Sequence, residues 1–392
     1  MIRLLAFAAA SAGLLLAGPA QAACSASNTY NYSFNWGSNT GLNYANSYTY
    51  TASNTLGANQ NFTMNFATNG LSSSVVNNVQ LPAVNSMLSG AGGGRTLVIG
   101  GTFSSRTADV SSNTRVIRVT FTFATPIRDF TVRVHDVDYS NNQYRDWLMV
   151  QGSNGSNTYV PTLTTPFGSN NGAGPHTAVG STVALGAYSS GGVTITNSQG
   201  VGLSTSANTN TDDGDITASF AQPVTSVTLR YGNYPGDNQT GQQAYGISAL
   251  SFCPMPSITM AKTSAPYAST GPDRFNAPLA DVVYTLTVAN SGGSPVDLAG
   301  ITLTDALPSD MTFYNGDFDP AAAGTDPFLL TPGSSGVTLS AANVSYSNNG
   351  GTSYGYTPAA GYDANVNRIR FVPGGTMAAN SSFTIKFRAQ IR

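Results

Sequence analysis

Ile117-Arg118-Val119-Thr120-Phe121-Thr122-Phe123 and Phe130-Thr131-Val132-Arg133-Val134-His135 decide the fold class of this 392-residue chain. In both stretches every second residue is apolar and the residues between are polar. Strict alternation puts one set of side chains on each face of an extended chain, the mark of a half-buried antiparallel strand. The pattern recurs at Ile216, Ala218 and Phe220, and again at Val227, Leu229 and Tyr231. Turn dipeptides break up the alternating runs: Asn154-Gly155, Asn171-Gly172 and Asp213-Gly214. Many short strands over some 230 residues predict a jelly-roll-like β-sandwich.

Composition points the same way. The chain has 42 glycines and only 9% charged residues, against roughly 25% in an average soluble domain. All 18 acids are Asp, and Lys262 and Lys386 are the only lysines. Strong charged helix formers are therefore scarce, which excludes helical bundles and coiled coils. A net charge of -2 offers no basic face to nucleic acid.

The amino terminus reads as an export signal, residues 1–22. Arg3 starts it, Leu4 to Ala17 is apolar, Gly18-Pro19 breaks it, and Ala20-Gln21-Ala22 fits the small-x-small cleavage rule. The apolar run is short of the roughly twenty residues a membrane span needs. The expected destination is the cell surface or the medium of a bacterium.

The two cysteines, Cys24 and Cys253, lie at the two ends of the first expected domain, 23–253. In an oxidising compartment they predict one disulfide. The competing reading is a lipoprotein acylated on Cys24, although Gln21 stands where that signal prefers Leu. Pro254-Met255-Pro256 is a stiff linker, 254–256, because proline fixes φ. The second domain, 257–392, alternates at Val282, Tyr284, Leu286 and Val288, and at Phe383, Ile385, Phe387, Ala389 and Ile391. It predicts an Ig-like β-sandwich.

Lys262, the run Asp281-Val282-Val283-Tyr284-Thr285-Leu286-Thr287-Val288-Ala289-Asn290-Ser291-Gly292, then Leu303-Thr304-Asp305-Ala306-Leu307-Pro308 and Met311-Thr312-Phe313 resemble a known module. It is the conserved repeat catalogued as the eleventh "domain of unknown function" of bacterial surface and secreted proteins. The resemblance implies an Ig-like spacer and carries no catalytic residues. The first domain is similar, more loosely, to lectin-like jelly rolls. Within the motif, positive φ is expected in the turn Asn290-Ser291-Gly292-Gly293, and Asp305 is expected to bond backbone amides. Tyr284 is expected in the core.

Candidate chemistry concentrates between Phe130 and Trp147. Continued alternation puts Asp136 and Asp138 on the core side with Val132 and Val134, and Asp146 returns after an Asn-rich turn. Buried carboxylates need a partner or a metal, and loop oxygens beside a sheet end suit calcium. The alternative is turn capping, or pairing with Arg133 and Arg145. An EF-hand is excluded, since Asn141 replaces the loop glycine and Trp147 the closing Glu. Asp212, Asp213 and Asp215 form a second acidic turn where calcium is the candidate ion, with a solvated turn as the alternative. Asp317 and Asp319 read as turn residues. Tyr139, Tyr144 and Tyr234, with Trp36, are candidate sugar-stacking rings, while Trp147 is expected in the core. Catalysis finds little material. There is no Gly-x-Ser-x-Gly motif, and His135 and His176 have no metal-ligand spacing. An Asp136–Asp146 pair is the sole glycosidase-like option. The expectation is an exported, non-catalytic structural or adhesion protein, with a calcium-dependent carbohydrate-binding protein as the alternative.

Overall fold

In the computed structural model the described residues are 30–37, 39–166, 177–179, 189–190, 193–203, 211–235, 240–296, 300–320 and 325–392. The predicted export signal and Cys24 lie outside them, as do Asn171, Gly172 and His176. The fold is all-β, and among the described residues its only helical turns are the short 3-10 segments Pro272–Arg274 and Ala341–Asn343. Among the described residues no helix is long and apolar enough to cross a membrane. Contacts divide the chain into two compact units, with the change between Met255 and Pro256.

In the first unit the two quoted stretches belong to one strand, Ile117–His135. Its first half pairs with Asn59–Thr68 (Phe121 opposite Met64) and with Val224–Asn233 (Val119 opposite Leu229). Its second half pairs with Ile216–Ser219 (Val134 opposite Ile216) and with Gln242–Pro254 (Val134 opposite Ile247). The strand therefore changes neighbours midway. The change falls where the alternation lapses, and Asp129 there takes a left-handed φ of 53°. From the first half, Asn59–Thr68, Ser47–Ser53, Tyr32–Phe34 and Gln242–Pro254 lead in hydrogen-bonded order back to the second half. The sheet thus folds over on itself as a sandwich. Ile117, Val119, Phe121, Phe123, Phe130, Val132 and Val134 all point into its core. Each such side chain contributes about 1.5–3 kcal/mol by leaving water. The opposite face of Tyr144–Asn154 is covered too, where Trp147 and Met149 pack with Val110, Val116 and Tyr234. Asn154-Gly155 makes the expected hairpin to Asn157–Tyr159, with Gly155 at φ 61°.

The second unit is a β-sandwich. One sheet has Asp281–Asn290 between Ile258–Pro266 and Ser381–Ile391, with Leu286 opposite Ile385. The other has Arg368–Phe371 between Leu303–Ala306 and Val344–Ser347. The predicted alternating residues of both long strands lie in the shared core, with Ile391 at its margin. Two local expectations change. None of Asn290, Ser291, Gly292 and Gly293 has positive φ. The buried Asn290 side chain holds that turn instead, accepting from the N–H groups of Ser257 and Gly292 and donating to the Ser294 and Ala378 carbonyls. Asp305 does not cap amides; it pairs with Lys262, as described below.

Candidate functional site

The alternation that carries Ile117–His135 stops at its end. Asp136 has a left-handed φ of 66°, costly for any residue with a Cβ. Val137, and not Asp136, takes the next core position. Asp136 and Asp138 are consequently turned to the wall of an open pocket of about 430 Å³. Gln143, Tyr144, Gln242 and Gln243 line the same pocket, with Met87 and Leu88 as its apolar part.

Two glycines bring the neighbouring chain close enough to shape this loop. A Cβ on Gly202 would sit 1.9 Å from the Asp138 carbonyl oxygen, and one on Gly214 would sit 2.8 Å from the Val137 nitrogen. Those distances are below any real contact, so only glycine fits as the backbones stand. The Val137 N–H donates to the Gly214 carbonyl at 2.9 Å.

Asp146 lies behind the pocket wall, completely buried. It is in phase with Leu148 and Val150 on the core side of its strand. Its Oδ1 accepts a short hydrogen bond from the Tyr231 hydroxyl and one from Gln243 Nε2 at 3.2 Å. Its Oδ2 accepts from the Asp138 N–H at 3.1 Å, and the Asp146 N–H returns a bond to the Asp138 carbonyl at 2.9 Å. Tyr144 is hydrogen-bonded to the Asp138 side chain. Burial, and then the charge of Asp138, raise the Asp146 carboxyl well above its ordinary range. Asp136 is pushed up to about 8 by burial first, then by Asp138 and Asp215. Burial, then Asp146 and Asp138, raise the Tyr144 hydroxyl.

The turn carrying Asp212, Asp213 and Asp215 packs beside this loop, and Asp212 and Asp215 are paired there. Arg133 reaches both Asp212 (2.9 Å) and the fully buried Asp215 (2.6 Å). His135 Nδ1 lies 2.8 Å from Asp215 Oδ1. Asp212 also accepts from the Ala91 N–H, and these contacts outweigh desolvation and lower its pKa. The turn is a latch on the strand end, so the expected second calcium turn is corrected to an ion-paired one. Arg133 is therefore engaged with that turn. Arg145 donates to the Gly202 carbonyl at 2.7 Å and lies 3.9 Å from the centre of the Tyr139 ring.

Neither a family model nor a curated protein matches the chain. Among solved structures it is similar to discoidin II of Dictyostelium discoideum in two forms. The wild-type protein gives a TM-score of 0.23 at 10% identity, over 83% of this chain and 92% of that one. The native recombinant protein gives 0.24 at 10% identity, over 84% and 95%. Likeness at that level carries no argument about the site.

Of the candidate rings, only Tyr144 lines the pocket. Tyr139 is half-buried beneath Arg145. Tyr234 is fully buried and meets Trp147 edge to face at 5.0 Å, so no sugar can stack on it. Trp36 is a core residue as well, donating to the Ser248 carbonyl. Polar tips on these rings are satisfied inside, a use that composition does not distinguish from sugar contact. Among the described residues no three His, Cys or Asp side chains are grouped as metal ligands. Asp146 is turned away toward Tyr231, which breaks the predicted set of three carboxylates. Sequence reasoning missed Gln243. Its phase with Tyr245 and Ile247, a polar residue on an apolar face, was the available signal.

In the second unit the buried acids Asp305 and Asp281 have bases, whereas the buried Asp363 accepts from the Tyr356 hydroxyl and from the Ala359 and Asn365 N–H groups. Lys262 Nζ lies 2.7 Å from Asp305 Oδ1 and 4.3 Å from the Tyr284 ring centre. Tyr284 stacks on Phe387 in the core, as expected. Arg388 pairs with Asp281 at 2.9 Å, between the rings of Tyr267 and Tyr314. Asp319 N–H donates to Asp317 Oδ1, the expected turn bond.

Proposed function

We propose that the chain is an exported, non-catalytic contact protein of the bacterial surface. Its first unit holds a hydroxyl-rich ligand such as a glycan, and its second is an Ig-like spacer. The observation that carries this reading is the pocket between residues 136–144 and 241–244. It is open, and it offers carboxylates, amides and the ring of Tyr144, groups that bond sugar hydroxyls and pack on sugar faces. The burial of Asp146 supports a non-catalytic role. A two-carboxylate glycosidase needs both acids at the scissile bond, and Asp146 is engaged behind the wall by Tyr231 and Gln243.

The mature protein is expected to bind a subset of arrayed glycans, and Tyr144→Ala to weaken that binding at least about tenfold. Absence of binding to every glycan, with retention in the outer-membrane fraction, would leave a structural role alone. Turnover of a polysaccharide that disappears in Asp136→Asn would overturn the non-catalytic reading. We also propose export and a Cys24–Cys253 disulfide, supported by the leader-like sequence and by the complete burial of Cys253. Mass spectrometry is expected to find a chain starting at Ala23 and about 2 Da lighter than its reduced form. An added lipid mass on Cys24 would exclude the disulfide.

A further inference from the structure

We infer that the pocket of the first unit binds a divalent cation, calcium by its donor chemistry, through Asp136, Asp138 and the amide oxygen of Gln243. The inference rests on the reading of this pocket as a ligand site. It does not rest on the acids alone. Gln243 is only 2% exposed, yet it lines the pocket with both aspartates. Its Nε2 is directed at three acceptors: Asp146 Oδ1, the Tyr231 oxygen and the Gly232 carbonyl. That fixes the amide orientation, because exchanging the two ends would set Oε1 against acceptors. Gln243 Oε1 is then buried with no hydrogen-bond partner. Asp136 Oδ1 is in the same condition, on a residue only 9% exposed.

An orphaned acceptor keeps its desolvation cost without a compensating bond, and a charged one keeps more, so two at one pocket call for a common donor or ion. A proton donor to each would serve one oxygen at a time. A divalent cation serves both and offsets the repulsion among the acids. Calcium takes six to eight oxygens from carboxylates, amide carbonyls and water. The pocket has room for the waters, at about 430 Å³. Asp146 supplies no ligand here: it holds the Gln243 amide in place through Nε2. One of the three side-chain donors is therefore an amide, which is compatible with the lack of a three-acid group.

The test is a thermal melt of the mature full chain in chelator-treated buffer, with CaCl2 as the only addition. Excess calcium is expected to raise Tm by several degrees (on the order of 2–8 °C), because an ion bound by the folded state alone stabilises it. Asp136→Asn should lose that shift, and Asp317→Asn in the second unit should keep it. If Asp136→Asn does not fold, Asp138→Asn takes its place, and native mass spectrometry of the wild type reads calcium uptake directly. No shift and no uptake by the wild type overturns the inference, as does a shift that survives in a folded pocket variant. Glycan binding that persists in EDTA without a calcium shift overturns the cation and leaves the ligand pocket. A calcium shift with no glycan bound does the reverse.

Discussion

Two buried aspartates of the second unit differ from the two that line the first unit's pocket. In the second, Asp305 has Lys262 at 2.7 Å and Asp281 has Arg388 at 2.9 Å, with aromatic faces packed around each cation. In the first, the charges of Asp138 and Asp215, both acids, act on Asp136. Asp215 is itself paired with Arg133 and contacts His135 Nδ1, and Asp146 is held by neutral donors. A chain with so few charged residues can place a base beside a buried acid when the fold needs only a tie. Where it leaves Asp136 Oδ1 and Gln243 Oε1 orphaned at an open pocket, the compensating charge is expected from outside. On the proposal above, the contrast separates acids that hold the sandwich together from acids kept for a ligand.

Lys262→Met breaks the contrast most severely, since it gives the second unit an uncompensated buried acid. Removing one partner of a buried pair costs about 3–5 kcal/mol, and Asp305 is only 1% exposed at its side chain. Urea unfolding of the full chain is expected to show that loss, and Lys262→Met/Asp305→Leu to recover most of it. A single-variant loss below about 1 kcal/mol would mean that Lys262 holds a surface pair of little worth.

Gly202→Ala tests the other side of the comparison, the packing that fixes the first unit's acids. A methyl 1.9 Å from the Asp138 carbonyl must push the loop outward, at about 1–3 kcal/mol. The cost should come with a weaker calcium response, because Asp138 moves with its carbonyl. Full stability in Gly202→Ala would show that the loop yields freely and is not held against the Gln199–Gly202 strand.

How much of this was legible depends on distance along the chain. Period-two alternation correctly placed Ile117 to Phe123 and Phe130 to Val134 in a core, because each residue's face follows from its neighbours. It could not show that both runs are one strand serving two sets of partners, nor that Asp136 reverses φ and passes the core position to Val137. The acids at the site were readable as costly groups near a strand end. Their partners were not: Tyr231 and Gln243 reach Asp146 across 85 and 97 residues, and Lys262 reaches Asp305 across 43. Tyr234 failed as a candidate for a related reason. An aromatic ring with a polar tip suits a wet pocket and a core niche equally, and only the packing of Trp147 decides.

The smallest expected effect sharpens the comparison through pH. Even with Lys262 beside it, Asp305 has a raised pKa, because burial outweighs the attraction of Lys262. The native state then holds this proton more tightly than the unfolded chain, whose Asp titrates near 3.9. Between that value and the native one, the unfolded state has lost a proton that the native state retains. Stability from this group therefore falls as pH rises from about 4 through the native pKa, by at most about 1.4 kcal/mol per pH unit, and is flat below and above. Asp305→Asn cannot titrate, so the wild type minus Asp305→Asn difference in urea stability isolates the effect. That difference should decline as pH is raised from about 4, and a flat one would show that the pair cancels the burial completely. In the Lys262→Met background the decline should continue to higher pH, since the larger of the attractions that lower the Asp305 pKa is gone and only that of Arg368 remains. Asp305 would then titrate like the acids around the first unit's pocket, and the nearby base would account for the difference between it and them.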